Sequence, residues 1–356
     1  MENFKQDSHN LNQNFTQENK LVQQQKFKAG PGNSQKNWEN NKQVIIDAGY
    51  LPEIIVSSKR NHIQEYIKNI KKEQLQQFTG IIIFSGDGLP HEVINGLMNR
   101  VDRKELVDIG ICPVPSGSGN AFAQELNTRA NLQNSIVSSL FNFIKGKKQK
   151  MDLIQLLLDQ NKIVYSFLSL NFSYVADIDI NSEFLRCLGG TRFDIYGTYR
   201  ALIQKGENAK LSLKESENID NNNEKTNETQ QQIFKQENIF QGKFKYLQFN
   251  NISYLSESCR SAPFSQINDG KIDVQFLLNC SYCNFVNMAL KFTSGKQFDK
   301  KTQQTVVDQL QHKFVEEFEL ECENKDTLIS VDGEKFLVKT VKGKIMPLAF
   351  SVFCIQ

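Results

Sequence analysis

The 356-residue chain has no apolar run approaching the roughly 18 to 20 residues that a spanning helix needs, and its opening Met1-Glu2-Asn3-Phe4-Lys5 lacks the apolar core of a signal peptide. A soluble cytoplasmic protein is expected. Neither sign of charge dominates: 42 basic residues against 40 acidic ones leave a net charge of +2, so composition implies no basic face and nucleic acid is not indicated as a partner. The seven cysteines, an odd number, are scattered without a disulfide framework, as reduced thiols are. Only Cys280 and Cys283 form a C-x-x-C, and the two further ligands that zinc needs at short spacing are missing. Small apolar side chains at a strand end are the expected reading. Tryptophan is reduced to one residue, but 26 Phe among 39% hydrophobic residues can still build a sizeable core.

What is present is unevenly distributed. Asn and Gln crowd residues 1–35 and 208–241, which pulls the mean hydropathy to -0.46 while the remainder is as apolar as an ordinary globular protein. The first stretch belongs to a low-complexity segment over residues 1–40, and 208–241 reads as a disordered surface insertion. Between them the signals are regular. An apolar segment at 44–48, a strand at 53–57 and a helix over 61–70 precede an apolar strand at 80–84, a helix at 90–98, a second apolar strand at 109–114 and a helix opening at 121. Buried strands alternating with helices predict a doubly wound parallel sheet over 41–147. Closely spaced strands then take over, at 153–159, 162–177, 243–250, 272–278, 317–321, 327–339 and 347–355. They predict an antiparallel β sandwich or barrel over 148–356, so the fold class is α/β plus β.

Two strand-to-helix turns stand out. Ser85-Gly86-Asp87-Gly88 follows one buried strand, and Pro115-Ser116-Gly117-Ser118-Gly119-Asn120 follows the next. In a parallel sheet these are carboxyl ends of strands, where ligands bind. Glycines let the backbone approach a ligand, and free N–H groups at a helix start suit an anion such as a nucleotide phosphate. Each turn alone could merely link two elements, but both point to the same edge. Asp332-Gly333, set between the alternating residues Ile329, Val331, Phe336 and Val338, is a strong hairpin signal. Phe285, Met288, Ala289 and Phe292 recur at helical spacing on one face, a pattern as common in cores as in ligand pockets.

Taken with their flanks, the segments Ser85 to Met98 and Pro115 to Ala121 resemble the diacylglycerol kinase catalytic fold. Tyr174-Val175-Ala176-Asp177-Ile178-Asp179, Ser182 to Arg186 and Leu188 to Phe193 narrow the resemblance to sphingosine kinases, and Val331-Asp332-Gly333-Glu334 is similar to that family's C-terminal acidic turn. The resemblance implies a nucleotide domain and a lipid-binding domain, with transfer of the ATP γ-phosphate to the primary hydroxyl of a sphingoid base, ATP and Mg²⁺ being required. It implies Asp87 as general base. Ser57, Asn61, Gly86, Gly88, Glu92, Gly117, Ser118, Gly119, Arg186, Arg192, Asp332, Gly333 and Glu334 would bind nucleotide, with Asp332 and Glu334 facing the metal. Asp179 would pair with the lipid's ammonium, and Val175, Ile178, Phe193, Phe285, Met288, Ala289 and Phe292 would hold its tail. Asp177 and Asp179 are expected to share one face of a strand end. Peripheral association with a membrane surface is also implied. The family opens with a strand and an N-P-x-S-G type loop, whereas here only Ala29-Gly30-Pro31-Gly32-Asn33-Ser34 follows Gln-rich sequence. A diacylglycerol or ceramide kinase of the same fold, and a non-catalytic lipid or nucleotide sensor motivated by that first loop, are the alternatives.

Overall fold

The computed structural model describes residues 19–26, 33–214 and 237–355. Strands β1 (Asn19–Lys26), β2 (Tyr50–Ser57), β3 (Phe78–Ser85) and β4 (Gly110–Pro115) run parallel in the order β2-β1-β3-β4. Helices α1 (Ser34–Asp47), α2 (His62–Asn69), α3 (Lys72–Leu75), α4 (Gly88–Met98), α5 (Ala121–Arg129) and α6 (Ile136–Lys145) alternate with them or follow them. Strand β3 explains the two helical layers. Ile81 and Ile83 enter a core with Ile63 and Ile67 of α2 and Val93 of α4, whereas Ile82 and Phe84 meet Trp38 and Ile45 of α1 and Phe143 of α6. Each of these four strand residues is withdrawn from water, contributing about 1.5–3 kcal/mol apiece.

The second half comprises β5 (Lys147–Leu158), β6 (Lys162–Ser166), β7 (Ser169–Ser173), α7 (Tyr174–Asn181), α8 (Thr191–Ile203), β8 (Glu207–Lys214), β9 (Glu237–Asn250), β10 (Ile272–Leu278), α9 (Tyr282–Lys291), β11 (Leu310–Val315), β12 (Glu317–Cys322), β13 (Thr327–Val331), β14 (Glu334–Val338) and β15 (Thr340–Cys354). Its strands pair antiparallel among themselves. Their inner faces bury one shared core that includes Ile154, Phe172, Leu211, Phe249, Val274, Phe318 and Val331. The last strand ties the halves together: β15 pairs with β5 along most of its length, while Ser351 and Val352 lie parallel to Gly110 and Ile111 of β4. No helix among the described residues is long and apolar enough to cross a membrane.

Three local expectations are corrected. A first strand does exist: β1, although Gln-rich, lies between β2 and β3 and is hydrogen-bonded along both edges, a backbone arrangement that needs no apolar pattern of its own. The loop residues 27–32 lie outside the described residues. Residues 208–214 and 237–241 are not insertion but paired strand, because Ala209, Leu211 and Leu213 alternate into the core. What remains of the expected insertion, 215–236, lies outside the described residues. The long strand expected over 162–177 ends at Ser173, whose φ of 60° turns the chain into α7.

Candidate active site

The turns after β3 and β4 meet at the carboxyl edge of the parallel sheet and open into a cleft of about 920 Å³ shared with the second half of the chain. Their contact depends on glycine. A Cβ on Gly117 would stand 2.4 Å from the Gly86 Cα, so neither turn could approach the other with a side chain in between. Asn120, at φ 54°, closes its own turn by accepting from the Gly117 N–H at 2.9 Å and donating to the Gly117 carbonyl at 3.0 Å. The Asp87 carboxylate then accepts the first two N–H groups of α5, from Ala121 and Phe122, each at 3.0 Å. That helix start therefore holds Asp87, and these two N–H groups are not left for a phosphate as the sequence suggested. Burial nevertheless dominates: it pushes the Asp87 pKa up to about 6, the two N–H groups oppose it, and the carboxylates of Asp332 and Asp179 reinforce it. Gly119 sits against this carboxylate, where a Cβ would come within 2.7 Å of Oδ2. Ser118 also lines the cleft, with its buried hydroxyl unpartnered.

The other wall begins at α7. Successive helical residues turn by about 100°, so Asp177 and Asp179 point to different surroundings instead of sharing a strand face. Asp177 pairs with Arg200 of α8 and accepts from Asn181. Asp179 faces the cleft, accepts a hydrogen bond from the Ser330 hydroxyl of β13, and has its pKa raised by burial against the opposing pull of Ser330 and Arg192. Val175, Ile178, Phe193, Ala289 and Phe292 line the cleft as expected. Phe285 and Met288 do not. Both are fully buried in the core behind it, Phe285 edge-on to Tyr174 at 5.0 Å between centroids. Val286, Leu290 and Thr293 join Ala289 and Phe292 in lining the cleft.

Among the expected nucleotide residues, Gly86, Gly88, Gly117, Ser118, Gly119, Arg192, Asp332, Gly333 and Glu334 gather around the cleft. The side chain of Arg186 lies outside the described residues. Glu92 is buried away from the cleft and accepts the Ile63 N–H at 3.1 Å, which fixes the start of α2. Ser57 and Asn61 are also outside the lining: the Ser57 hydroxyl donates to the Lys59 carbonyl at 3.2 Å, and Asn61 takes a positive φ of 62° to open α2. Their neighbour Arg60 does reach the cleft, where it pairs with Glu334.

Asp332 differs most from expectation. With Gly333 it forms the two-residue turn between β13 and β14, both at positive φ (52° and 82°), as the hairpin signal required. Its carboxylate, however, is saturated. Oδ1 accepts from the Ser166 hydroxyl at 2.7 Å and from the N–H groups of Leu168 and Ser169 at 2.9 and 3.1 Å, while Oδ2 meets His91 Nδ1 at 2.8 Å and the Phe167 N–H at 3.3 Å. These residues do not fit a metal site: Asp332 has no oxygen to spare and Glu334 is engaged by Arg60. Among the described residues no group of three or more His, Cys, Asp or Glu is arranged to hold an ion. Sequence reasoning also missed Ser330 and the wall segment around Leu255 and Cys259, neither of which carries a local signal.

Residues 26–156 match the family model described as the diacylglycerol kinase catalytic domain. The chain is 29% identical to sphingosine kinase 1 of Arabidopsis thaliana over 279 residues, 72% of this chain and 56% of that one. It is 26% identical to sphingosine kinase 1 of Rattus norvegicus over 341 residues, 90% and 87% of the two chains. It is 32% identical to sphingoid long chain base kinase 4 of Schizosaccharomyces pombe over 178 residues, 50% and 37%. It thus spans little more than half the length of its plant relative. In three dimensions it is similar to a putative diacylglycerol kinase from Bacillus anthracis, with a TM-score of 0.69 at 18% identity, covering 96% of this chain and 97% of that one. At that identity the likeness establishes the fold.

Proposed function

We propose, for this chain of the sphingosine kinase type with its diacylglycerol kinase catalytic domain, that it transfers the γ-phosphate of ATP to the primary hydroxyl of a sphingoid base. The observation that carries this reading is one cleft lined by Asp87, Asp179 and an apolar wall. Phosphoryl transfer is mainly positioning and charge neutralisation. Asp87, with a pKa near 6, is mostly ionised at neutral pH yet basic enough to accept the hydroxyl proton as the O–P bond forms. The glycine turns bring backbone close to the phosphates, and Arg192, buried in the wall, and Arg60, exposed at the rim, supply positive charge to the same space. Mg²⁺ would arrive with the nucleotide, since among the described residues no carboxylate cage is available for it.

Asp179 supports a sphingoid base over a neutral lipid, because a half-buried carboxylate favours an ammonium and diacylglycerol and ceramide carry none. The apolar wall formed by Val175, Ile178, Phe193 and Ala289 suits the alkyl chain. Peripheral association with a membrane is supported by Ile195, Tyr199 and Leu202, exposed at helical spacing along α8 beside the cleft. The rival reading, a diacylglycerol kinase, takes its support from the description of the matching domain. Purified protein supplied with labelled ATP and sphingosine, ceramide or diacylglycerol in mixed micelles separates the two. Label is expected in sphingosine alone, and preferential labelling of diacylglycerol would overturn the assignment.

A further inference from the structure

We propose that Ser330 is a positioning residue whose hydroxyl aims the Asp179 carboxylate at the lipid headgroup, an inference that rests on the sphingoid-base reading of the cleft. Along β13, Ile329 and Val331 enter the sandwich core, so Ser330 faces the other way, towards α7. It is completely buried, and a hydroxyl placed there is costly unless it is hydrogen-bonded. Its partner is Asp179 Oδ2. The donor is rigidly held: Ser330 pairs with Asn171 of β7 on one side and Lys335 of β14 on the other, and two residues further on Asp332 is locked by its five donors. The remaining oxygen, Oδ1, lies towards the Gly333 turn, where a Cβ on that glycine would meet it at an ordinary contact distance of 3.9 Å, and both residues line the cleft.

The type of donor matters. A lysine or arginine in place of Ser330 would orient Asp179 but also neutralise it, competing with the ligand's ammonium. A hydroxyl orients the carboxylate and leaves its negative charge available. The charged groups around Asp179 are Arg192 of α8, Glu334 of β14, Glu183 after α7, and Asp87 across the cleft. Three of these four are acidic, so the ionised form of Asp179 depends on its few favourable partners. Burial pushes its pKa up, and Ser330 is the foremost group pulling it down.

Ser330→Ala keeps the shape of the strand and removes only the donor. The expected result is a three- to tenfold loss of kcat/KM for sphingosine, the net worth of an ordinary hydrogen bond because Asp179 itself is only half-buried, with the KM for ATP unchanged. The pKa of Asp179, followed by ¹³C-carboxyl NMR, should rise. Because Ser330 acts through Asp179, the double variant Ser330→Ala with Asp179→Asn should be no worse than Asp179→Asn alone. Additive losses, or an unmoved Asp179 titration in Ser330→Ala, would overturn the proposal. Failure of the underlying reading has a different signature, since the parent would then not phosphorylate sphingosine, while the Asp179 titration would still decide whether Ser330 controls that carboxylate.

Discussion

Replacing Asp87 by Asn separates the two consequences of placing a carboxylate at the head of the cleft. In the parent, burial and the nearby carboxylates raise its pKa from 3.8 to about 6. An acid whose pKa is raised on folding binds its proton more tightly in the folded state, so its contribution to stability is complete below about pH 4 and is lost as pH rises through about 6. At pH 7 keeping Asp87 charged disfavours folding by about 3 kcal/mol. Asparagine removes that cost. It also offers a single acceptor oxygen to two N–H donors, Ala121 and Phe122, and leaving one of them poorly matched costs about 1–3 kcal/mol. The two effects nearly offset, so stability at pH 7 should change by no more than about 2 kcal/mol, and the pH dependence of the melting temperature between about pH 4 and 6 should flatten. Turnover behaves differently. Without an acceptor for the hydroxyl proton it should fall by about 10² to 10⁴. Thermal melts across that pH range, run beside kcat measurements on sphingosine, test both parts. The parent should lose kcat/KM below about pH 6, as Asp87 takes up its proton. A variant within tenfold of the parental rate, or a parental profile flat between about pH 5 and 7, would refute the assignment of Asp87 as base.

Other perturbations follow from the same geometry. Gly119→Ala puts a Cβ 2.7 Å from Asp87 Oδ2, and displacing the carboxylate should lower kcat by about 10- to 100-fold with little change in KM for sphingosine; unchanged kcat would mean that the alignment of Asp87 is unimportant. Asp332→Asn disturbs five donors at a buried turn and should cost about 2–5 kcal/mol, read as a melting temperature lower by at least about 5 °C, whereas a normal melt with a shifted Mg²⁺ requirement would restore Asp332 as a metal ligand. Ile195→Asp with Tyr199→Asp should weaken binding to anionic vesicles at least about tenfold while sparing turnover on detergent-dispersed lipid, and unaltered vesicle binding would locate the membrane contact elsewhere. Lys214 and Glu237 are register partners, so replacing 215–236 by a short Gly-Ser turn should leave activity within a few fold; collapse of folding or activity would make the segment structural.

The sequence by itself determined the α/β layering, the second strand-rich half and the positions of the two glycine turns, because each rests on a local pattern: continuous apolar strands, turn residues, and Gly where backbones must touch. Asp332-Gly333 was legible as a hairpin for the same reason. Its other role was not, since the donors that fill the Asp332 carboxylate come from Ser166 to Ser169 and from His91, brought together only by folding. β1 was hidden because its place depends on the edges of β2 and β3, and its own Gln-rich residues give no periodic signal. Helical periodicity identified α9, but of the four residues it singled out only Ala289 and Phe292 reach the cleft. Phe285 and Met288 are fully buried in the core behind the cleft, while Val286, Ala289 and Leu290 face the cavity, a choice set by what α9 packs against. The split between Asp177 and Asp179 was likewise decided by tertiary structure, because a positive φ at Ser173 converts an apparent strand end into a helix and sends one carboxylate to Arg200 and the other to Ser330. Local patterns specify which elements form; which carboxylate stays open to a ligand depends on partners distant in sequence, and those are settled only when the two halves of the chain close on one cleft.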